Sequence, residues 1–258
     1  MSSSRTTFAK VLIGSAITFA ILQLGVTWLA GKLDPTGAAL IVTAVMLVAA
    51  LVLEKSFFGL DPLEALRGLG YACWNPHAVL AAMIIAIIMQ GFFPIATLVT
   101  GTQITLKSDW LWLLLGAIAL NGFGEETLFR GYIFRGLRKK ADLTFRQAGF
   151  VSMIVFAAVH LLLFIGNPPI VGILGTVIAI VAAFPMAYLF ERGNNTIWAP
   201  VVLHVASHTF RLLDIPEPFY LTLASLWLVL QIGMLFLVYA FLGNLLKPRE
   251  QDLLSEPV

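Results

Sequence analysis

Two adjacent glutamates follow an apolar run near the middle of the sequence. The run extends from Trp110 to Leu120. Glu125 and Glu126 come where a membrane helix would still lie within hydrocarbon, and Arg130 follows one turn later. A carboxylate at membrane depth costs several kcal/mol, so such residues are rare and usually functional. A sheltered glutamate can act as a general base that takes a proton from water. The pair therefore marks a candidate hydrolytic site.

The two glutamates are expected to have different roles. Residues four apart share a helix face, so the spacing of Glu126 and Arg130 indicates an internal ion pair that neutralises a buried charge. Glu125 would then point about 100° away around the helix and be free for chemistry. Small residues around the pair would let another helix or a substrate approach closely, or would simply serve helix packing. These residues are Gly122, Gly124 and Gly131.

Three of the four histidines lie in apolar segments. His160 follows Phe156 by one turn, while His204 and His208 are four residues apart and share a helix face. Imidazoles can orient a water molecule and stabilise an oxyanion, or they can bind a divalent metal such as zinc together with a carboxylate. A membrane histidine can also be only a hydrogen-bonding residue between helices. Both hydrolytic mechanisms stay open.

Covalent acyl-transfer chemistry is disfavoured by the residues that the sequence lacks. No serine stands in a G-x-S-x-G context, and the single cysteine, Cys73, lies in a predicted loop. One cysteine also excludes an intrachain disulfide framework.

The elements that must position these residues are membrane helices. Of the 258 residues, 59% are hydrophobic and 12% are charged, whereas a soluble domain carries about 25% charge. The net charge of +2, dispersed along the chain, is too small to suggest a nucleic-acid partner. Because about 20 apolar residues cross a bilayer as a helix, the sequence predicts an all-α polytopic bundle of about eight spans in a lipid bilayer. The predicted spans are 8–30, 36–53, 78–100, 110–134, 147–165, 170–190, 196–212 and 219–243.

The distribution of basic residues predicts the orientation of the bundle. With a cytoplasmic N-terminus, all but three of the 16 Lys and Arg residues fall on the cytoplasmic side. The exceptions are Lys32, Lys107 and Arg211. Both termini should therefore be cytoplasmic, and the first span, longer than the apolar part of a signal peptide, should be retained. The two glutamates, His160 and His204 then lie at overlapping depths, about 12–20 Å from the cytoplasmic face.

The sequence also predicts the structure of two segments outside the spans. Residues 54–77 form either a short helix in the membrane interface or a plain loop. The polar tail from Lys247 onward is expected to be disordered.

Three short motifs follow one another along the second half of the chain. The matching residues are Glu125, Glu126 and Arg130 for E-E-x-x-x-R, Phe156 and His160 for F-x-x-x-H, and His204 and His208 for H-x-x-x-N or a variant. In this order the motifs resemble those of the CPBP family of intramembrane proteases, which includes type II CAAX prenyl endopeptidases and bacterial abortive-infection-type immunity proteins. The resemblance covers about residues 110–212. Its departure is His208, where asparagine is common.

The resemblance implies an intramembrane endopeptidase and gives each site residue a role. The implied roles are water activation for Glu125 with His160, oxyanion binding for His204 with His208, and support of the site for Glu126 with Arg130. Oxyanion binding by His208 is less secure than by asparagine, because histidine donates only in the right tautomer or charge state. The resemblance leaves open whether the cofactor is none or one divalent metal.

The sequence as a whole predicts three segments: N-terminal spans with an interfacial loop over 1–109, a catalytic core over 110–212, and a last span with a polar tail over 213–258. The expected substrate is a membrane-associated or C-terminal peptide, a class that includes prenylated CAAX sequences. The protein should reside in a prokaryotic plasma membrane with its site facing the cytoplasm.

Two other functions are compatible with the same residues. A non-catalytic scaffold or immunity protein would bind a partner membrane protein and would predict an incomplete site. A proton-coupled transporter would use buried Glu and His as a relay. The transporter would also predict internal repeats, which the sequence does not contain.

Overall fold

The computed structural model describes residues 2–164 and 169–245, and this part of the chain is almost wholly helical. The α-helices are α1 (Ser2–Leu29), α2 (Pro35–Phe58), α3 (Pro62–Gly68), α4 (Pro76–Gln90), α5 (Phe92–Thr100), α6 (Trp110–Ala117), α7 (Phe145–His160), α8 (Pro169–Arg192), α9 (Trp198–Ser207) and α10 (Glu217–Leu245). Short 3₁₀ turns, Leu161–Phe164 and Thr209–Leu212, extend α7 and α9. Two strands, β1 (Thr105–Leu106) and β2 (Leu213–Asp214), pair antiparallel.

The all-α membrane bundle predicted from composition is confirmed. Within the described ranges, five helices are long and apolar enough to cross a bilayer: 5–29, 35–58, 76–100, 172–192 and 217–243. The fifth and seventh predicted spans correspond to the shorter apolar helices Phe145–His160 and Trp198–Ser207. The fourth predicted span carries several charged residues and is not among the five helices. The count of eight spans therefore stays a prediction, and so does the cytoplasmic location of the termini. The polar tail from Lys247 lies outside the described residues.

Local sequence explains where several helices begin. Asp34, Asp61 and Asn75 each accept hydrogen bonds from the backbone N–H groups of the following turn, and a proline follows each of them. At the start of α7 the Thr144 side chain accepts a hydrogen bond from the Gln147 backbone N–H, and the Gln147 side chain accepts one from the Thr144 backbone N–H. This reciprocal pair is a capping box. Within residues 54–77 the structure has a short helix, α3, which begins at the Asp61–Pro62 signal, and its location in the membrane interface stays a prediction.

One long helix occupies the middle of the bundle. It begins with α6 and continues through the π-helical segments Ile118–Gly124, Thr127–Phe134 and Gly136–Lys140, and we call residues 110–140 the central helix. Its wide turns are seen in N–H donation from Glu125 to the Leu120 carbonyl and from Arg135 to that of Arg130. Such turns are rare and frequent at functional sites. The central helix contacts α1, α2, α7, α8 and α9.

The glycines of the central helix are points of close packing. A Cβ at Gly122 would press on Val201 and Val205 of α9, and one at Gly124 would approach Thr43 of α2. At Gly131 an added Cβ would overlap the main-chain oxygen of Leu69. The small residues flagged in the sequence therefore let two helices and one loop approach the backbone.

The loop after α3 is fastened to the central helix at a second point. The Tyr71 hydroxyl and the Thr127 hydroxyl are hydrogen-bonded at 2.7 Å. Burial raises the pKa of Tyr71, so its phenol stays protonated at neutral pH. The loop is thereby held next to the segment that carries the two glutamates.

The strand pairing ties the start of the central helix to the end of the α9 segment. Thr105 pairs with Asp214 and Leu106 with Leu213, and the Lys107 N–H donates to the Leu212 carbonyl at 2.9 Å. The 3₁₀ turn that follows α9 is therefore held beside the N-terminal end of the central helix.

Gly131→Ala should lower the melting temperature of the detergent-solubilised protein. The added methyl would overlap backbone rather than a side chain that can move aside, and overpacking of this kind costs about 1–3 kcal/mol. The matched control is Gly233→Ala in α10, where no atom lies within 4 Å of the new Cβ. Alanine is favoured over glycine in helices by about 0.5–1 kcal/mol, so the control should melt no lower than wild type. Equal melting temperatures would contradict the packing described for Gly131.

Candidate active site

Three helices bring the candidate site residues together. The central helix carries Glu125, Glu126 and Arg130, the C-terminal end of α7 carries His160, and the end of α9 carries the other two histidines. Every one of the six predicted residues belongs to a single network of contacts in the interior of the bundle. Their contacts differ, however, and so does what each can do chemically.

Glu126 and Arg130 form the ion pair that the four-residue spacing predicted. The Glu126 Oε1 accepts a hydrogen bond from Arg130 Nη1 at 3.0 Å, and neither side chain is more than 3% exposed. The Arg130 guanidinium also lies over the ring of Phe156, 5.0 Å from its centroid. A buried charge of this kind is tolerated only when it is paired and hydrogen-bonded.

His204 connects the two glutamates across the helix interface. Its Nδ1 lies 2.5 Å from Glu126 Oε1, and its Nε2 lies 3.7 Å from Glu125 Oε2. A carboxylate only accepts hydrogen bonds, so Nδ1 carries the proton and donates to Glu126. His204 is thereby fixed in orientation, with Nε2 directed at the second glutamate.

Glu125 is held at one oxygen and faces His204 with the other. Its Oε1 accepts a hydrogen bond from Asn121 Nδ2 at 2.8 Å. The side chain is 15% exposed, whereas that of Glu126 is completely buried. The expectation that Glu125 is free therefore needs a correction, because Asn121 stands four residues earlier on the same helix and binds one of its oxygens.

His160 lies at the end of α7, half-buried, and contacts the other histidines through Phe156. Its Nδ1 is 2.8 Å from the Phe156 carbonyl oxygen, an atom that can only accept, so Nδ1–H is the donor. The Phe156 ring meets His160 edge-on at 4.7 Å and His204 at 6.5 Å between centroids. Phe156 thus packs between the two imidazoles.

His208 stands beside His204 where α9 passes into a 3₁₀ turn. The two rings are 5.2 Å apart between centroids, with an interplanar angle of 31°. His160 and Arg211 are close enough to interact electrostatically with His208. The residue that departs from the H-x-x-x-N pattern therefore lies within the network.

Two residues of the network were not predicted from the sequence. Asn121 bonds to Glu125, and Arg211 Nη1 donates to Asn121 Oδ1 at 2.9 Å. The spacing of Asn121 and Glu125 on one helix face is a signal that could have identified the first of them. No local pattern connects Arg211 with the central helix, since the contact spans 90 residues.

The side chains of the site do not assemble a metal centre. Among the described residues, no group of three His, Cys, Asp or Glu side chains is arranged to hold a metal ion. The donor set explains this result, because His204 directs Nδ1 to Glu126 and Asn121 holds one oxygen of Glu125.

Comparison with known families identifies the segment that contains all of these motifs. Residues 107–210 match the family model described as type II CAAX prenyl endopeptidase Rce1-like. This part of the chain is similar to that family. The resemblance drawn from the three motifs is thereby confirmed for this segment. No curated protein and no solved structure matches the chain.

The Rce1-like domain supports function at the level of the family. The family consists of proteases of the CAAX type, and the apolar helices make the chain an integral membrane protein. The matched segment begins directly after β1 and ends within the 3₁₀ turn after α9, so it encloses the central helix, α7, α8 and α9. Arg211 lies one residue beyond the matched segment.

Arg130→Met should destabilise the protein by about 3–5 kcal/mol, because it leaves Glu126 as an uncompensated buried charge. Equilibrium unfolding in mixed micelles measures this loss. Arg146→Met is the matched control, since Arg146 is exposed and such a substitution changes stability by at most about 0.5 kcal/mol. A variant of Arg130 as stable as the control would argue against the buried pair.

Proposed function

We propose that the chain is an intramembrane endopeptidase that hydrolyses a peptide bond of a membrane-associated substrate with a water molecule activated by Glu125. The unequal setting of the two adjacent glutamates carries this proposal. Glu126 is completely buried and bound to Arg130 and His204. Glu125 is partly exposed and keeps Oε2 directed at His204 Nε2. One glutamate is therefore structural and the other is suited to catalysis.

The distance between Glu125 and His204 suits a bound water molecule. At 3.7 Å, Oε2 and Nε2 are too far apart for a direct hydrogen bond, and a polar contact of this length is commonly bridged by water. Such a water would donate one hydrogen bond to Glu125 Oε2, which is the geometry that a general base requires.

Hydrolysis follows from this arrangement in two steps. Glu125 Oε2 takes a proton from the water as the water oxygen bonds to the substrate carbonyl carbon, and the carbonyl oxygen becomes an oxyanion. The C–N bond then breaks, the carbonyl re-forms, and the proton held by Glu125 passes to the leaving amine. Glu125 returns to its starting state, so the balance is one water consumed for each peptide bond.

The histidines supply the remaining functions in this proposal. Glu126 holds the Nδ1–H of His204 and so orients the ring edge that would face the developing oxyanion, and His208 stands beside it. The Phe156 carbonyl holds the Nδ1–H of His160, so Nε2 is the ring nitrogen left to orient the attacking water or to relay a proton.

A membrane-associated peptide is the substrate class that the surroundings favour. An apolar groove of about 400 Å³ runs along α9, and its lining includes Val205 and Thr209, which follow His204 and His208 in sequence, but none of the six predicted site residues. The family match makes prenylated CAAX sequences the first substrates to test. We further propose a prokaryotic plasma membrane with access from the cytoplasmic side, based on the distribution of basic residues.

The protease proposal is preferred over the scaffold, immunity and transporter alternatives. The matched family is one of proteases, and the six predicted site residues lie in one contact network. A scaffold would not require a partly exposed glutamate directed at a fixed histidine.

Glu125→Gln should lower kcat for a quenched, prenylated CAAX peptide by about 10²- to 10⁴-fold, the usual contribution of a general base, because the amide cannot take the proton. The side chain keeps its size and its contact with Asn121, so the melting temperature should stay near that of wild type. Glu217→Gln, an exposed glutamate at the start of α10, is the matched control and should cleave normally. If Glu125→Gln cleaves the peptide as fast as wild type does, Glu125 is not the general base.

Cleavage should persist after treatment with EDTA or 1,10-phenanthroline, because the side chains at the site form no three-ligand group. The measurement is the initial rate of peptide cleavage before chelator, after chelator, and after Zn²⁺ is added back. Loss of activity that Zn²⁺ restores would show that a metal takes part and would overturn the metal-free mechanism.

A further inference from the structure

The amide of Asn121 bridges a cation and the proposed base. Its Nδ2 donates to Glu125 Oε1 at 2.8 Å, and its Oδ1 accepts from Arg211 Nη1 at 2.9 Å. A guanidinium has only donors and a carboxylate has only acceptors, so each partner can meet just one end of the amide. The two contacts together therefore determine which way the Asn121 side chain is turned.

The bridge restricts which oxygen of Glu125 is available for chemistry. With Oε1 held by Asn121, the carboxylate cannot rotate freely, and Oε2 stays directed at Nε2 of His204. Asn121 is itself buried, at 6% exposure, so its amide has few other partners to turn to.

Arg211 is positioned by the same turn that carries His208. Its N–H donates to the His208 carbonyl at 3.3 Å, and the next residue, Leu212, accepts a hydrogen bond from Lys107. The strand pairing between Leu106 and Leu213 anchors this turn beside the start of the central helix. The contact between Arg211 and Asn121 thus joins the end of α9 to the base on the central helix.

We propose that Asn121 and Arg211 are positioning residues that act through Glu125: Arg211 orients the Asn121 amide, and Asn121 holds Oε1 of Glu125 so that Oε2 faces the water. This inference rests on the proposed function of Glu125 as the base. Neither residue belongs to the three motifs, and Arg211 lies beyond the segment matched to the family.

The test measures kcat and KM separately for the prenylated CAAX peptide. Arg211→Met should lower kcat about 10- to 100-fold, the effect of a small misplacement of a catalytic group, with KM within about twofold of wild type. Arg211→Lys should recover part of the loss, because an ammonium can still donate to Asn121 Oδ1. Arg146→Met, at an exposed site on α7, is the matched control and should match wild type.

A double substitution tests whether the two residues act in series. Asn121→Leu should lower kcat at least as much as Arg211→Met, and the double variant should be no slower than Asn121→Leu alone, because Arg211 acts only through the amide. Melting temperatures are measured for every variant. Since Arg211 is exposed, Arg211→Met should fold even if the buried Asn121→Leu does not, and the Arg211 series then decides the question.

The outcomes separate this inference from the function on which it rests. Normal kcat in Arg211→Met, a change confined to KM, or a kcat loss that Arg211→Lys does not relieve overturns the positioning role while Glu125→Gln remains inactive. A double variant whose losses multiply also overturns it. Wild type that cuts nothing, or Glu125→Gln as active as wild type, overturns the proposed function and this inference together.

Discussion

The neutralisation of one completely buried carboxylate is the constraint on which the rest of the structure depends. Glu126 is 0% exposed, so its charge must be met inside the bundle. Arg130 meets it from the same helix and His204 meets it from α9. Because both donors converge on one oxygen, the separation and rotation of α9 against the central helix are fixed by this contact. The orientation of the His204 ring, and hence the direction of Nε2, follows from it.

Close approach of the backbones makes this convergence possible. Because Gly122 and Gly131 have no side chain, α9 packs closely against the first and the loop after α3 against the second. Both contacts lie on the part of the central helix that carries the glutamates. Wide π turns occur in the same segment. Consecutive residues on a helix point in different directions, which lets Glu126 face the interior while Glu125 faces Asn121 and Arg211. The two neighbouring glutamates thus have different surroundings, and His204 is the contact that they share.

Much of the fold was predictable because it depends on local composition and spacing. Long apolar segments predicted the helices, and the Glu126–Arg130 pair followed from a four-residue spacing within one helix. Helix α3 could have been predicted with more certainty, since Asp61 and Pro62 form a strong start signal. The count of spans was less predictable. Apolar segments such as Trp198–Ser207 are too short to cross a bilayer by themselves, and only the structure gives their ends.

By itself, the sequence determined the helical membrane class, the three motifs and the identity of the ionisable residues, because composition, order and spacing are local properties. Only the tertiary structure decided the partner of each group. His204 binds Glu126 across 78 residues of sequence. Arg211 bonds to Asn121 across 90 residues, although it is one of the three basic residues predicted to lie on the non-cytoplasmic side. No local period encodes such pairings, because they depend on how helices far apart in the chain rotate against one another. That rotation determines which glutamate is completely buried and which is partly exposed.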